Sequence, residues 1–317
     1  MSRVLVTCRL PEDALQPLAG HDLVVAGSDD RMTADEMIDG ARDVDAIVCQ
    51  LVDRISAAVF HAATRLAVVA TVSVGYDNVD VKAATRAGVV VCNTPGVLDD
   101  TTADLAFALI LSASRLMYEA EHDLRSGAWT EWRMNAYLGR DVHGATLGLV
   151  GYGRIAQAVA RRAEGFSMRV LHHSRGPTGL PGYVPDLDGL LRESDVVSLH
   201  VPLTAETVHL IDARRLKLLK PTAVLVNTAR GPVVDEAALA EALEAGRLFA
   251  AGLDVYEHEP SVHPRLLAAP RTVLVPHIGS ASVATRLAMA LLATTAVAEV
   301  LAGGHPPNAV NPEVLAR

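Results

Sequence analysis

Aromatic side chains are scarce in this chain, 4% of its 317 residues, and there are only three cysteines. Cys8, Cys49 and Cys92 lie far apart, in or beside apolar runs. That excludes a disulfide framework and offers no metal-ligand spacing, so they read as reduced core thiols of a cytoplasmic protein. Basic residues are also short, 28 Lys and Arg against 37 Asp and Glu, for a net charge of −9. With no Lys/Arg run, a nucleic-acid surface is not expected. Long apolar runs are missing too. The longest, Leu287 to Ala298 between Arg286 and Glu299, falls short of the roughly 20 residues that cross a bilayer, so no membrane partner is expected. The chain passes from Met1 straight into Arg3-Val-Leu-Val-Thr7, which leaves no room for a signal peptide. Internal repeats and low-complexity segments are absent.

What is present is a half-apolar chain long enough for about two domains. Its centre of organisation is Leu147-Gly-Leu-Val-Gly-Tyr-Gly-Arg-Ile-Ala156. The apolar run Thr146 to Val150 reads as a buried parallel strand, Gly151-Tyr152-Gly153 as a turn, and Arg154-Ile155-Ala156 onward as a helix. That context is what a dinucleotide fingerprint needs. Gly151 permits the tight turn, and Gly153 has no side chain to hold a pyrophosphate away. The free N–H groups of the helix then face the phosphates. Ala156 stands at the third glycine position. The plain alternative is a glycine turn without function.

Around this stretch, apolar runs alternate with helical patterns. Val4–Val6, Leu23–Val25, Ala46–Val48, Leu66–Ala70 and Val89–Val91 read as strands, separated by amphipathic stretches such as Thr33–Arg42 and Ser56–Ala63. No glycine fingerprint follows the first of them, so this half is not expected to hold a dinucleotide. Asp99 or Asp100 is expected to cap one long helix, about Thr101 to Arg125. Ser126 to Arg140 follows with both tryptophans, and reads as an aromatic-anchored loop or as an arm that packs on a second subunit. Further strands are expected at Met168–His172, Val196–Leu199, Ala223–Val226, Ala250–Leu253 and Val273–Val275, with a helix at Asp235–Glu244. A last helix begins at Ser280 or Ser282 and stops at Gly303-Gly304. The pattern predicts an α/β fold of two doubly wound parallel-sheet domains: a Rossmann-type cofactor domain and a smaller flavodoxin-like substrate domain, with a cleft between. The expected boundaries are 1–98 plus 285–317 for the substrate domain and 99–284 for the dinucleotide-binding domain, with a dimerisation arm at about 115–145.

Ligands of open α/β sheets sit at the carboxyl ends of the strands. Polar segments follow three strands there: Asn227-Thr-Ala-Arg230, Asp254 to Glu259, and Pro276-His277. Hydride transfer to a ketone leaves charge on oxygen, which a general acid such as His277 neutralises. A carboxylate such as Glu259 fixes the imidazole tautomer, and the fork of Arg230 grips a substrate carboxylate. Taken singly, Arg230 also reads as a loop ion pair, Glu259 as a solvated turn residue and His277 as a cap. Their shared placement after strands is what separates the two readings.

At these residues the chain resembles the D-2-hydroxyacid dehydrogenases. Gly148 to Ile155, Asn227 to Glu236, Ala251 to Tyr256 with Glu259-Pro260, and Pro276 to Ser280 match family signatures in order, and the resemblance spans nearly the whole chain. It implies catalytic Arg230, Glu259 and His277. It implies substrate contacts from Leu51, the Val74-Gly75 turn, Arg230 and Ser280. It implies cofactor contacts from Thr102, Gly151, Gly153, Arg154, Ile155, Ser174, Arg175, His200, Val201, Pro202, Thr207, Thr228, Ala229, Asp254, His277 and Gly279, and a homodimer joined through the cofactor domains. Within the family, Trp129 to Trp132, Leu138-Gly139, Asp141 to Gly144 and Leu51 are similar to the glyoxylate/hydroxypyruvate reductases. One departure stands near Ala136-Tyr137, where some of those reductases carry a tryptophan that closes the partner's active site.

The cofactor type is arguable from the residues. NAD enzymes place a carboxylate on the ribose about 20 residues beyond the fingerprint. Here the strand ends in His172-His-Ser174-Arg175 and the next acid is Asp186. Arg175 and Ser174 suit a 2′-phosphate, so NADP(H) is favoured, with NAD(H) the alternative. Phosphoglycerate, phosphite or a bulkier 2-keto acid remain open as substrates, as does a non-catalytic dinucleotide-sensing, corepressor-like role.

Overall fold

Every apolar run read as a strand is one, to within two residues at either end. The computed structural model describes residues 1–26 and 30–316. Among these the strands are β1 Arg3–Val6, β2 Asp22–Val25, β3 Ala46–Cys49, β4 Val68–Thr71 and β5 Val90–Cys92, then β6 Thr146–Val150, β7 Arg169–His173, β8 Val196–Leu199, β9 Val224–Asn227, β10 Ala250–Leu253 and β11 Thr272–Leu274. They form two sheets, in the orders β2-β1-β3-β4-β5 and β11-β10-β9-β8-β6-β7, with every pairing parallel. The chain divides accordingly into Met1–Leu98 with Ser280–Arg317, and Asp99–Gly279. The second boundary falls at Ser280, ahead of the expected 285. The reason is local: Ser282 caps the helix Val283–Leu301 by accepting from the Thr285 amide, so the turn belongs with the helix it starts.

Parallel strands buried on both faces must be apolar at consecutive positions, and these are. In the first unit Leu5, Ile47 and Val69 face the helices Ala34–Ala41, Ala57–Ala62 and Val81–Ala87. Val4, Val6, Val48 and Ala70 face the other way, onto Leu18 and the helix Val283–Leu301. That helix is long and apolar enough, by length and composition, to cross a membrane. Here Met289, Ala290, Ala293, Ala296 and Val297 are buried, the last three in the core of the first unit. In the second unit Leu147, Leu149, Val196 and Val224 pack on the helices Asp99–Ser114 and Arg154–Glu164, and Leu171, Leu199, Leu225 and Leu253 on the helices of the opposite face. Leu147, Leu149 and Leu199 are wholly buried. Each such leucine contributes about 1.5–3 kcal/mol relative to exposure.

The single helix expected over 101–125 is instead two, Asp99–Ser114 and Met117–Ser126. Leu116 between them takes the left-handed conformation, φ 51°. The Ser114 carbonyl, which helix continuation would engage four residues on, accepts the Arg140 amide at 2.7 Å. Gly139 approaches so closely that a Cβ there would sit 2.3 Å from that carbonyl oxygen. A distant segment thus takes over the helix end. Asp99 and Asp100 lie inside the first turn rather than before it. Residues 127–145 form neither helix nor strand, and Trp129, Trp132, Met134 and Leu138 are exposed.

Candidate active site

In the six-stranded sheet the order reverses at β6, whose neighbours are β7 and β8. Loops leaving the carboxyl ends on either side of such a switch point open a crevice for a ligand. The turn after β6 meets the one after β8 here. Gly151 has φ 89°, and a Cβ on it would lie 2.6 Å from the His200 carbonyl oxygen and 3.1 Å from Val201. Only glycine fits. Gly153 differs, since a Cβ there would meet nothing within 4 Å. It begins the helix Arg154–Glu164 without a side-chain cap. The first amides of that helix, on Arg154 and Ile155, therefore face open space at the positive end of the dipole. Ala156 is fully buried, as helix–strand packing requires. After β8, His200 Nε2 meets Ser198 Oγ at 2.8 Å, and burial holds its pKa down to about 4, so the ring is neutral. Thr207 Oγ donates to the Pro202 carbonyl at 2.7 Å and accepts the Thr204 amide, fixing that loop.

After β9, Asn227 holds the loop with both ends of its amide, donating to the Arg230 carbonyl (2.9 Å) and accepting from the Ala229 amide (3.0 Å). Thr228 is nine-tenths buried, and its hydroxyl finds no partner among the described residues. After β10, Glu259 accepts the Tyr256 amide at 3.0 Å on one oxygen and meets His277 Nδ1 at 2.8 Å with the other. His277 itself has φ 51°, a conformation side chains with a Cβ seldom occupy. Asp254 enforces it. The Asp254 carbonyl accepts the His277 amide, and its carboxylate accepts those of Ile278 (2.6 Å) and Gly279 (2.9 Å). Gly279 lies in turn against Thr102.

The electrostatics separate these carboxylates. Burial pushes Asp254 up to about 6, against the pull of the Ile278 and Gly279 amides and of His277, with Glu259 adding to the rise. Burial acts to raise Glu259 as well. There it is outweighed by the His277 hydrogen bond and charge, the Tyr256 amide and the charge of Arg230, so Glu259 sits below the usual carboxylate value. An ionised Glu259 requires a proton on His277 Nδ1, which leaves Nε2 as the nitrogen free to exchange a proton with a ligand.

The remaining sequence candidates fall in two other places. Ser174 donates to the Gly176 carbonyl at 2.7 Å, and Arg175 is exposed, its charge reaching Glu206. Leu51, Val74 and Gly75 follow β3 and β4 in the first unit. Asn93 donates to the Val74 carbonyl (2.7 Å), and Ser73 Oγ to that of Gly75 (2.5 Å). These bonds fix the carbonyls of the turn. Ser280 opens the return segment of that same unit.

Several contributors escape sequence reasoning. Tyr152, between the two turn glycines, stacks on His172 at 3.7 Å. A Cβ on Gly231 would lie 1.8 Å from the Tyr256 carbonyl carbon, so the Arg230 loop rests directly on the backbone beside Glu259. Asn227 and Gly231 lie within the signature Asn227 to Glu236, but nothing in their spacing tells what they touch.

The open space at Gly153, the uncapped helix and the orphaned Thr228 hydroxyl fit a nicotinamide dinucleotide. Comparison with known proteins agrees. The family model "D-isomer specific 2-hydroxyacid dehydrogenase, NAD binding domain" matches residues 107–279. Glyoxylate reductase from Thermococcus onnurineus is 47% identical, over 99% of this chain and 97% of that protein. The structure of a Thermus thermophilus protein superposes with a TM-score of 0.92 at 46% identity, covering 97% of this chain and 99% of that one. NADPH-dependent glyoxylate/hydroxypyruvate reductase from Sinorhizobium meliloti, solved with NADP and malonate, gives 0.86 at 38% identity, covering 98% and 97%. The chain belongs to the D-isomer-specific 2-hydroxyacid dehydrogenases, NAD(P)-dependent oxidoreductases.

Proposed function

We propose that the protein reduces a small 2-keto acid of the glyoxylate or hydroxypyruvate type to the D-2-hydroxy acid, with NADPH as the preferred reductant. The observation that carries this reading is the 2.8 Å pair of His277 and Glu259 at the carboxyl edge of a sheet that also bears the glycine turn. The dinucleotide, when bound, supplies the hydride. The protein's own part is to hold the keto acid and give a proton. His277 Nε2 donates it to the ketone oxygen as charge develops there, and the imidazolium becomes neutral imidazole. Glu259 stays ionised, keeping the proton on Nδ1. Arg230 takes the substrate carboxylate on its planar fork. The Val74 and Gly75 amides are donors for the same kind of group, and Leu51 and Ser280 are assigned to substrate with them. Steady-state turnover of a panel of 2-keto acids with NADPH and with NADH tests the reading. No turnover with any member would sink it.

Arg230→Lys keeps the charge and loses the fork. It is expected to raise KM for the keto acid and also to slow kcat, because the ketone is no longer aligned. Dinucleotide affinity should hold. Normal KM and kcat across the panel would remove Arg230 from substrate binding.

NADPH preference rests on Arg175 and Ser174, which stand where an NAD enzyme places a carboxylate. A charge-assisted hydrogen bond contributes about 1.5–3 kcal/mol, so Arg175→Ala is expected to raise KM for NADPH by roughly 10- to 100-fold. KM for NADH should scarcely move. An equal effect on both would show that Arg175 does not read the 2′-phosphate.

The segment at about 115–145 is proposed as a dimerisation arm. Its support is that Met117, Tyr118, Leu124, Trp129, Trp132 and Met134, all apolar and all within this segment, are exposed. A monomeric mass in sedimentation equilibrium would count against it. The three buried cysteines, none of them disulfide-bonded, fit a reducing cytoplasm.

A further inference from the structure

We propose that Glu236 is a positioning residue for the acid–base pair, holding both ends of the loop that carries Glu259. The inference rests on the dehydrogenase reading above.

Glu236 opens the helix Glu236–Glu244 and is 5% exposed. Asp235 already caps that helix, its carboxylate accepting the Ala238 amide at 2.9 Å. Helix formation therefore makes no demand on the Glu236 carboxylate, and burying it is costly unless its oxygens are engaged. They are engaged elsewhere. One accepts the Glu257 amide at 2.6 Å, the other the His263 amide at 3.1 Å. Glu257 reciprocates, accepting the Glu236 amide at 2.7 Å and meeting His209 Nε2 at 3.1 Å.

Between those two anchored amides the chain reverses, with the Ser261 amide donating to the His258 carbonyl at 2.8 Å. Glu259 stands in that reversal. Its own carboxylate is committed to the Tyr256 amide and to His277. One buried side chain thus fixes the entry and the exit of the loop, and the loop fixes the partner of the proton donor. No contact of Glu236 with Arg230, Glu259 or His277 is involved. Its effect passes through the backbone.

Glu236→Gln preserves shape but offers one acceptor where two donors converge, and turns an N–H group toward the other. The expected result is a fall of about tenfold in kcat for keto-acid reduction, the scale of a small misplacement at a reacting group. KM for the dinucleotide should stay within about twofold of native, because the glycine turn lies at another part of the sheet edge.

The deciding measurement is a double-mutant cycle. In the Glu259→Gln background, Glu236→Gln should have no further effect on kcat, since the group it positions is gone. A second tenfold fall in that background, or an unchanged kcat in the single variant, would overturn the proposal while leaving the dehydrogenase reading intact. A native protein that reduces no 2-keto acid would sink both. Should Glu236→Gln fail to fold, Glu236→Asp serves in the same cycle, because its shorter side chain cannot reach both amides.

Discussion

Replacing His277 by alanine is expected to slow keto-acid reduction by roughly 10²–10⁴, the usual worth of a positioned general acid. The size follows from what the neighbouring carboxyl groups are able to do in its place. Glu259 is ionised and has nothing to donate, and Asp254 has both oxygens on the Ile278 and Gly279 amides. A water molecule admitted to the gap would be a weak acid with no fixed orientation. The loop itself should survive. It is pinned through the amides of residues 277 to 279, all of which alanine retains. Dinucleotide affinity, measured by quenching or enhancement of fluorescence, is therefore expected to stay near native. A variant with native kcat would take His277 out of the chemistry. A variant that no longer binds dinucleotide would make His277 a structural residue of the loop.

The strands were legible because burial on both faces leaves no room for polar alternation. Val4-Leu-Val6 sends Val4 and Val6 to one core and Leu5 to the other, and still reads as one apolar run. The grouping of Arg230, Glu259 and His277 was legible for a topological reason. Each of its members follows a strand, and parallel strands deliver such residues to one edge. The helix break at Leu116 was not legible. A leucine at φ 51° carries no glycine or proline signal, and its cause, the Arg140 amide on Ser114, lies far along the chain. Asp254 shows the same limit. Its strand-end position marks it as a site residue, but that it holds His277 in a left-handed conformation depends on three hydrogen bonds that only the fold brings together. Glu236 lies within a family signature, yet its two amide partners sit 21 and 27 positions away.

Gly231→Ala should be the most damaging change that touches no reacting group. A Cβ at that position would lie 1.8 Å from the Tyr256 carbonyl carbon, 2.0 Å from its oxygen and 2.4 Å from the Glu257 nitrogen. All three are backbone atoms, so no side chain can swing aside. Ordinary contact requires about 3.5–4.0 Å, and the two loops must therefore part by well over an ångström. One of them carries Arg230 and the other Glu259. A displacement of about 1 Å at groups that align substrate and acid costs about 10²-fold, and both groups move here. The expected result is a loss of at least about 10²-fold in kcat/KM for the keto acid, with overpacking costing typically about 1–3 kcal/mol of stability besides. The Gly151–Gly153 turn belongs to another strand of the sheet, so dinucleotide should still be retained by protein that stays folded. Steady-state kinetics, dinucleotide titration and thermal unfolding on the same preparation separate these effects. Native kcat/KM in Gly231→Ala would mean that the close approach of the two loops does not place Arg230 and Glu259, and the geometry assigned to the site would have to be withdrawn.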